Sequence, residues 1–310
     1  MKVIRSERAG FCMGVALALN KLDKLVEKGG HVGTFGPIIH NPFVLEEYAQ
    51  KGVRCFGSVQ AVKEALEPFY VFSETINANG EEKKKEEQLR LNLLIRAHGI
   101  PHSTESFLRN LPHICLMDAT CPRVKEAQNA ISHATQGENA PHTLLLFGDA
   151  NHPEVDGLVS YAKGKYIISP DPDKLIAYAK NKASEQVVLA AQTTQDRAVF
   201  ESIKKELCAS LPITPIILET ICDATKLRQD EAVAIAETVE AMVVVGGKES
   251  GNTKRLAELV FSKNIPTVLV ESADELEREF FKSFKKVGLT AGASTPKRLV
   301  DEAEKLLTSW

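Results

Sequence analysis

Three cysteines recur at nearly even intervals along this 310-residue chain, each just ahead of an apolar-periodic stretch. They lie in Gly10-Phe11-Cys12-Met13-Gly14-Val15, Ala119-Thr120-Cys121-Pro122-Arg123-Val124 and Thr220-Ile221-Cys222-Asp223-Ala224-Thr225, with 109 and then 101 residues between cysteines. In a second set of segments, an apolar run enters glycine, a polar turn and a helix pattern. These reach His40, His152 and Asn252, which follow their cysteines by 28, 31 and 30 residues. A third set, Ala97-His98-Gly99, Gln192-Thr193-Thr194 and Ala293-Ser294-Thr295, ends further apolar runs. From second set to third the separation is 41 residues (152 to 193) and 42 (252 to 294), but 58 in the first unit (40 to 98). The surplus predicts an insertion over 74–90, whose run Glu81-Glu82-Lys83-Lys84-Lys85-Glu86-Glu87 nearly cancels in sign and reads as a solvated loop or surface helix.

Within each unit strands and helices alternate, and polar loops follow the carboxyl ends of apolar strands at 143–147, 187–190 and 242–245. That pattern belongs to parallel βαβ units, whose ligands gather at those strand ends. The expected fold class is α/β: three pseudo-threefold-related lobes with parallel sheets around a central cavity, spanning 1–121, 122–218 and 219–310. If the lobes are so related, three cysteines and six polar loops can converge. Core material is ample, at 44% hydrophobic residues. A net charge of −3 provides no global basic field, so neither nucleic acid nor a membrane surface is an expected partner, and an anion must be bound locally. No apolar run approaches the ~20 residues of a membrane span. Charges at Lys2, Arg5, Glu7 and Arg8 stand where a signal peptide needs apolar residues, so a cytoplasmic protein is expected, as a monomer.

Six cysteines scattered through the chain do not make a disulfide framework; in a reducing compartment they are free, metal-bound or catalytic. Cys12, Cys121 and Cys222 each open an expected helix, with Pro122 suited to its first position and Asp223 to its first turn. Helix N-termini favour thiolates, so the three read as a metal site. Cys55, Cys115 and Cys208 fall outside the repeat and are expected to be small buried hydrophobes. Zinc would accept three cysteines plus a histidine or water, although the close Cys-x-x-Cys pairs usual for zinc are absent here. A cubane iron–sulfur cluster normally takes four cysteines; three would leave one iron open, a Lewis acid as well as an electron store.

His40, His98 and His152 all sit in strand-end loops, and Ser250, Asn252 and Ser294 fill the corresponding places of the third unit. Imidazoles, hydroxyls and an amide beside helix N-termini can cradle a small diphosphate without a lysine-rich patch. The run Gly246-Gly247-Lys248-Glu249-Ser250-Gly251-Asn252-Thr253 has the outline of a P-loop, but Asn252 stands where the lysine must be. No G-x-G-x-x-G follows a strand, which leaves a Rossmann dinucleotide site unsupported.

In this order, over nearly the whole chain, the motifs resemble the 4-hydroxy-3-methylbut-2-enyl diphosphate reductase family of the non-mevalonate isoprenoid route. The likeness rests on the cysteine segments above together with Ile39-His40-Asn41-Pro42, Ala97-His98-Gly99, His152-Pro153-Glu154-Val155-Asp156-Gly157, Gln192-Thr193-Thr194, Ser250-Gly251-Asn252 and Thr290-Ala291-Gly292-Ala293-Ser294. What the resemblance implies is one [4Fe–4S] cluster per chain held by Cys12, Cys121 and Cys222, its fourth iron free for the substrate hydroxyl. The diphosphate would lie among His40, His98, His152, Ser250, Asn252 and Ser294, with Thr193 holding the hydroxyl. Glu154 would be the catalytic acid that turns the hydroxyl into water. Two electrons and two protons would then give isopentenyl and dimethylallyl diphosphates, with a ferredoxin or flavodoxin as electron donor. Gly251 departs from members that carry a second serine there, so only its backbone N–H remains for phosphate. The competing expectation is a non-catalytic, zinc-stabilised diphosphate-binding scaffold.

Overall fold

The computed structural model describes residues 1–77, 90–138 and 141–310. Most of the expected insertion, 78–89, lies outside the described residues; residues 74–77 end the helix Val59–Asn77.

Twelve strands are described: β1 (Lys2–Arg5), β2 (His31–Phe35), β3 (Arg54–Phe56), β4 (Leu91–Ile95), β5 (Ile114–Asp118), β6 (Thr143–Phe147), β7 (Tyr166–Ser169), β8 (Val187–Ala191), β9 (Ile216–Ile217), β10 (Ala241–Val245), β11 (Thr267–Val270) and β12 (Lys286–Ala291). They form three four-stranded sheets, ordered β3-β2-β4-β5, β7-β6-β8-β9 and β11-β10-β12-β1, with every pairing parallel. Three parallel-sheet α/β lobes around a central cavity are therefore the architecture of the chain.

The central strands β6, β8 and β10 are apolar almost throughout because helices pack on both faces there, and successive side chains serve opposite cores. In β6, Leu145 and Phe147 pack on one face and Leu144 and Leu146 on the other; in β10, Val243 and Val245 oppose Met242 and Val244. The helices start as their sequences direct. Asn41, Asp196 and Ser250 accept a hydrogen bond from a backbone N–H of the first turn, and Pro42, Pro122, Pro153 and Pro172 stand near helix starts where no donor is lost.

Two expectations need correction. The first lobe does not begin at residue 1, because β1 pairs with β12 and completes the third sheet. In each lobe the fourth place of the sheet is thus taken by the strand that leads out to the next cysteine: β5 to Cys121, β9 to Cys222 and β1 to Cys12. The helix after each cysteine packs into the next lobe's core. Met13–Lys28 lies against Val32 and Leu94, Pro122–Gln136 against Leu144 and Leu146, and Asp223–Ala236 against Met242 and Val244. Secondly, Cys55, Cys115 and Cys208 are exposed rather than buried. Cys55 and Cys115 lie on the two edge strands of the first sheet, where one face is incompletely covered, and Cys208 is on the outer side of the helix Arg197–Ser210.

Because β1 is held by Lys2 N–H to Lys285 O (2.9 Å) and Ser6 N–H to Leu289 O (2.8 Å), its amides should be protected from hydrogen exchange together with those of β12. Exchange of β1 at the rate of a frayed terminus would contradict this closure.

Candidate functional site

Each cysteine marks a crossing between lobes, and one hydrogen bond repeats at all three. The backbone N–H of Cys12 donates to Ala293 O (3.0 Å), that of Cys121 to Ala97 O (2.9 Å) and that of Cys222 to Thr193 O (3.0 Å). The acceptors are the three equivalent strand-end loops. Each cysteine is the N-cap residue of its helix.

All three cysteines line one central cavity. They share its wall with His40, His98, Glu154, Thr193, Ser250, Asn252 and Ser294. His152 stands one layer out, lining an adjoining groove with His40 and Gly251, its ring centre 5.3 Å from His98 and 6.0 Å from His40.

The cysteine end is crowded. Gly14, two residues on from Cys12, faces Cys121, whose Cβ is 2.9 Å from where a Gly14 side chain would begin, so glycine is what lets the first helix approach. Burial pushes the Cys121 thiol up; the backbone N–H groups of Arg123 and Val124 pull it down, while Cys12 and Cys222 add to the rise. The expected lowering by a helix N-terminus is therefore outweighed at Cys121. Three half-buried free sulfurs on one cavity wall are a set that a multivalent cationic centre would hold as thiolates.

Arg228, absent from the sequence-level site, secures this end. It is 4% exposed and donates to the carbonyls of Arg8, of Ala291 (2.8 Å) and of Gly10 (3.0 Å), which satisfies a buried cation with three acceptors. Glu231, from the same helix, accepts from Ser6 Oγ and Glu7 N–H, both at 2.7 Å. The segment between β1 and Cys12 is thus clamped by the helix that begins at Cys222. A signal existed: Thr225, Arg228, Gln229, Ala232, Ile235 and Ala236 form the buried stripe of that helix, and an arginine at such a spacing needs an internal partner.

Glu154, on the same cavity wall, is 1% exposed in the first turn of the helix Pro153–Val159. Its carboxylate accepts from Thr193 N–H (2.6 Å) and from Thr193 Oγ1–H (3.0 Å). Burial pushes its pKa from the usual 4.5 up to about 7, against the downward pull of those two bonds. Gln192 braces the Thr193 loop, accepting from Asp149 N–H (3.1 Å) and donating to Thr194 Oγ1 (3.2 Å).

The imidazoles are neutral near neutrality. Burial lowers His40, lowers His98 well below the usual range and brings His152 down to about 4, with Arg96 contributing to all three. His152 Nδ1 accepts from Glu154 N–H (3.1 Å), which places the ring proton on Nε2, beside Gly251. His40 Nε2, His98 Nδ1 and Asn252 Nδ2 are buried with no hydrogen-bond partner in the protein. Ser294 Oγ reaches Ser250 Oγ (3.4 Å) and His40 O (3.3 Å), drawing the first and third lobes together. One nitrogen from each imidazole lies within 4.8 Å of the others, a spacing that also suits a single metal ion. A permanent cation beside the rings, and the use of His152 Nδ1 as an acceptor, favour an anion instead.

A family model described as LytB protein matches residues 3–308. A 4-hydroxy-3-methylbut-2-enyl diphosphate reductase of Nitratidesulfovibrio vulgaris is 44% identical, covering 100% of both chains. The reductase of that name from Geobacter sulfurreducens is 36% identical over 97% of this chain and 95% of its own length. A solved structure of (E)-4-hydroxy-3-methyl-but-2-enyl diphosphate reductase, described as the terminal enzyme of the non-mevalonate pathway, superposes with a TM-score of 0.64 at 33% identity, covering 100% of each chain. The E-1-hydroxy-2-methyl-but-2-enyl-4-diphosphate reductase from Plasmodium falciparum gives a TM-score of 0.82 over 99% of this chain and 88% of that one; at 22% identity it shows the fold alone.

The buried carboxyl has a cost in stability. Below the unfolded pKa of 4.5 it is protonated in both states; as pH rises toward about 7 only the unfolded chain ionises it, and stability is lost through that window. Glu154→Gln should therefore raise unfolding stability above pH 7 by roughly 3 kcal/mol relative to its effect in acid. Denaturant titrations at both pH values measure this, and an equal difference at both would show that Glu154 titrates normally.

Proposed function

Because this chain belongs to the LytB protein family, we propose that it reduces 4-hydroxy-3-methylbut-2-enyl diphosphate to isopentenyl and dimethylallyl diphosphates. It is an oxidoreductase of that family. The observation that best supports the reaction is that a buried, protonatable Glu154 and the three cysteines line one cavity, with Thr193 bonded both to Glu154 and to Cys222 N–H.

The cysteine end fits a [4Fe–4S] cluster. Three free thiols come from three helix N-termini, backbone N–H groups point toward Cys121, and Gly14 gives room. Cys12, Cys121 and Cys222 would hold it, and when bound it supplies single electrons and a Lewis-acidic iron with an open position. The reaction balances as one C–O bond broken, with two electrons and two protons consumed and one water released.

The protein's own groups account for the rest. The diphosphate is held by N–H donors of neutral His40, His98 and His152, by Ser250, Asn252 and Ser294, and by the N-terminus of the helix Gly251–Phe261. Anchoring one end of the substrate places its hydroxyl between the cysteines and Glu154. With a pKa of about 7, Glu154 is a competent general acid at neutral pH and gives its proton to the departing hydroxyl. Thr193 N–H and Oγ1–H then stabilise the carboxylate that remains. A ferredoxin or flavodoxin in a reducing, cytoplasmic setting is the proposed source of electrons, consistent with free cysteines. Among the described residues no helix is long and apolar enough to cross a membrane.

Anaerobic purification should yield a brown protein with about four irons and four sulfides per chain. Serine at position 12, 121 or 222 should lower both contents, and a colourless zinc protein would remove the reading. Glu154→Gln should cut kcat by ~10²–10⁴-fold with little change in KM. Wild-type turnover should fall as pH rises through about 7, because the acid must be protonated.

A further inference from the structure

A half-buried cation stands beside the site without a role in the chemistry above. Arg96 follows β4 in the loop that carries His98, and its side chain is not on the wall of the central cavity. Its seat is built. Nε donates to Gly99 O (3.3 Å), and the guanidinium lies on Gly36, where any Cβ would stand 3.0 Å from Arg96 Cζ. Gly36 has a φ of +75°, so glycine is favoured there on both counts.

Among the described residues, none of the ion pairs involves Arg96. The groups whose charge states are electrostatically linked to it are His98, two residues on in the same loop, His40 and His152 from the other histidine loops, Asp156 from the helix Pro153–Val159, and Cys55 from β3. Glu249 and Lys254 act in turn on His40. The other cations of the neighbourhood are engaged: Lys254 with Glu249 (3.3 Å), Arg255 with Glu258 (3.0 Å), Arg123 with Glu126 (2.9 Å) and Arg228 with carbonyls. A diphosphate brings several negative charges, whereas the imidazoles, hydroxyls and amide around it are neutral.

We propose that Arg96 is the fixed counter-charge of the diphosphate pocket, a cation seated beside the histidines that draws the anionic head group onto neutral donors. This rests on the diphosphate reading given above. Arg96 acts on the ligand past the imidazoles, so it is a positioning residue. Its charge does not change with pH, which lets the pocket attract diphosphate at pH values where the histidines carry none.

The test is calorimetric binding of inorganic pyrophosphate to anaerobically purified protein, below and above neutrality, for the wild type, Arg96→Met and Arg96→Lys. Arg96→Met should weaken binding about tenfold, and more at the higher pH, because histidine protonation becomes the remaining source of charge. The His40 and His152 resonances should titrate at higher pH in this variant. Arg96→Lys should restore most of the affinity. If the Arg96→Met protein bound pyrophosphate as tightly as wild type at both pH values, the proposal alone would be overturned. Failure of lysine to rescue would also overturn it, leaving Arg96 as a support for the Gly99 loop. Failure of the wild type to bind pyrophosphate would remove the diphosphate reading itself.

Discussion

The structure depends on how the chain passes from lobe to lobe. At each passage a cysteine N–H donates to a carbonyl of the preceding lobe's strand-end loop, at 2.9 to 3.0 Å in all three cases. Each helix N-terminus is thereby sewn to its neighbour, and the sulfurs have the centre as their common direction. Since β1 completes the third sheet, the cycle closes through the chain's first strand. Arg228 and Glu231 lock that closure from the Cys222 helix, so two of the three cysteine segments are tied by direct side-chain bonds.

The cavity has a largely apolar wall set with a few polar groups, most of them uncharged near neutrality. Desolvation keeps Glu154 protonatable near neutrality and keeps the histidines uncharged. Both shifts cost folding stability, and both prepare chemistry: a carboxylic acid can donate a proton, and neutral imidazoles can donate hydrogen bonds with a defined tautomer. Buried donors at His98 and Asn252 that lack protein partners add to that cost. It is offset by three apolar sheet cores that contribute nothing to the chemistry directly, such as the fully buried Leu144, Leu145 and Leu146 of β6.

Much of the fold was legible because the repeat is carried by local physics. Strands such as 143–147 and 242–245 were visible as short apolar runs, and Pro122 and Asp223 announced helix starts. The lobe boundary failed at residues 2–5, since four residues of an edge strand do not encode which sheet they join. Cys55, Cys115 and Cys208 were misjudged because composition statistics say nothing about sheet edges. Arg96 and Arg228 escaped notice for a related reason: an arginine looks solvated until its partners, here carbonyls and a glycine seat, are brought from distant segments.

The sequence by itself determined the alternation of strands and helices, the three equivalent cysteines and the polar loops at strand ends, because periodicity, proline and glycine act over a few residues. Only the tertiary structure decided that β1 belongs to the last sheet, that Glu154 is held by Thr193, and that Arg228 is buried at the cavity on carbonyls of Gly10 and Ala291. Those are pairings across tens to hundreds of residues, settled by which surfaces exclude water together, and burial then set the protonation states that no reading of neighbours along the chain could supply.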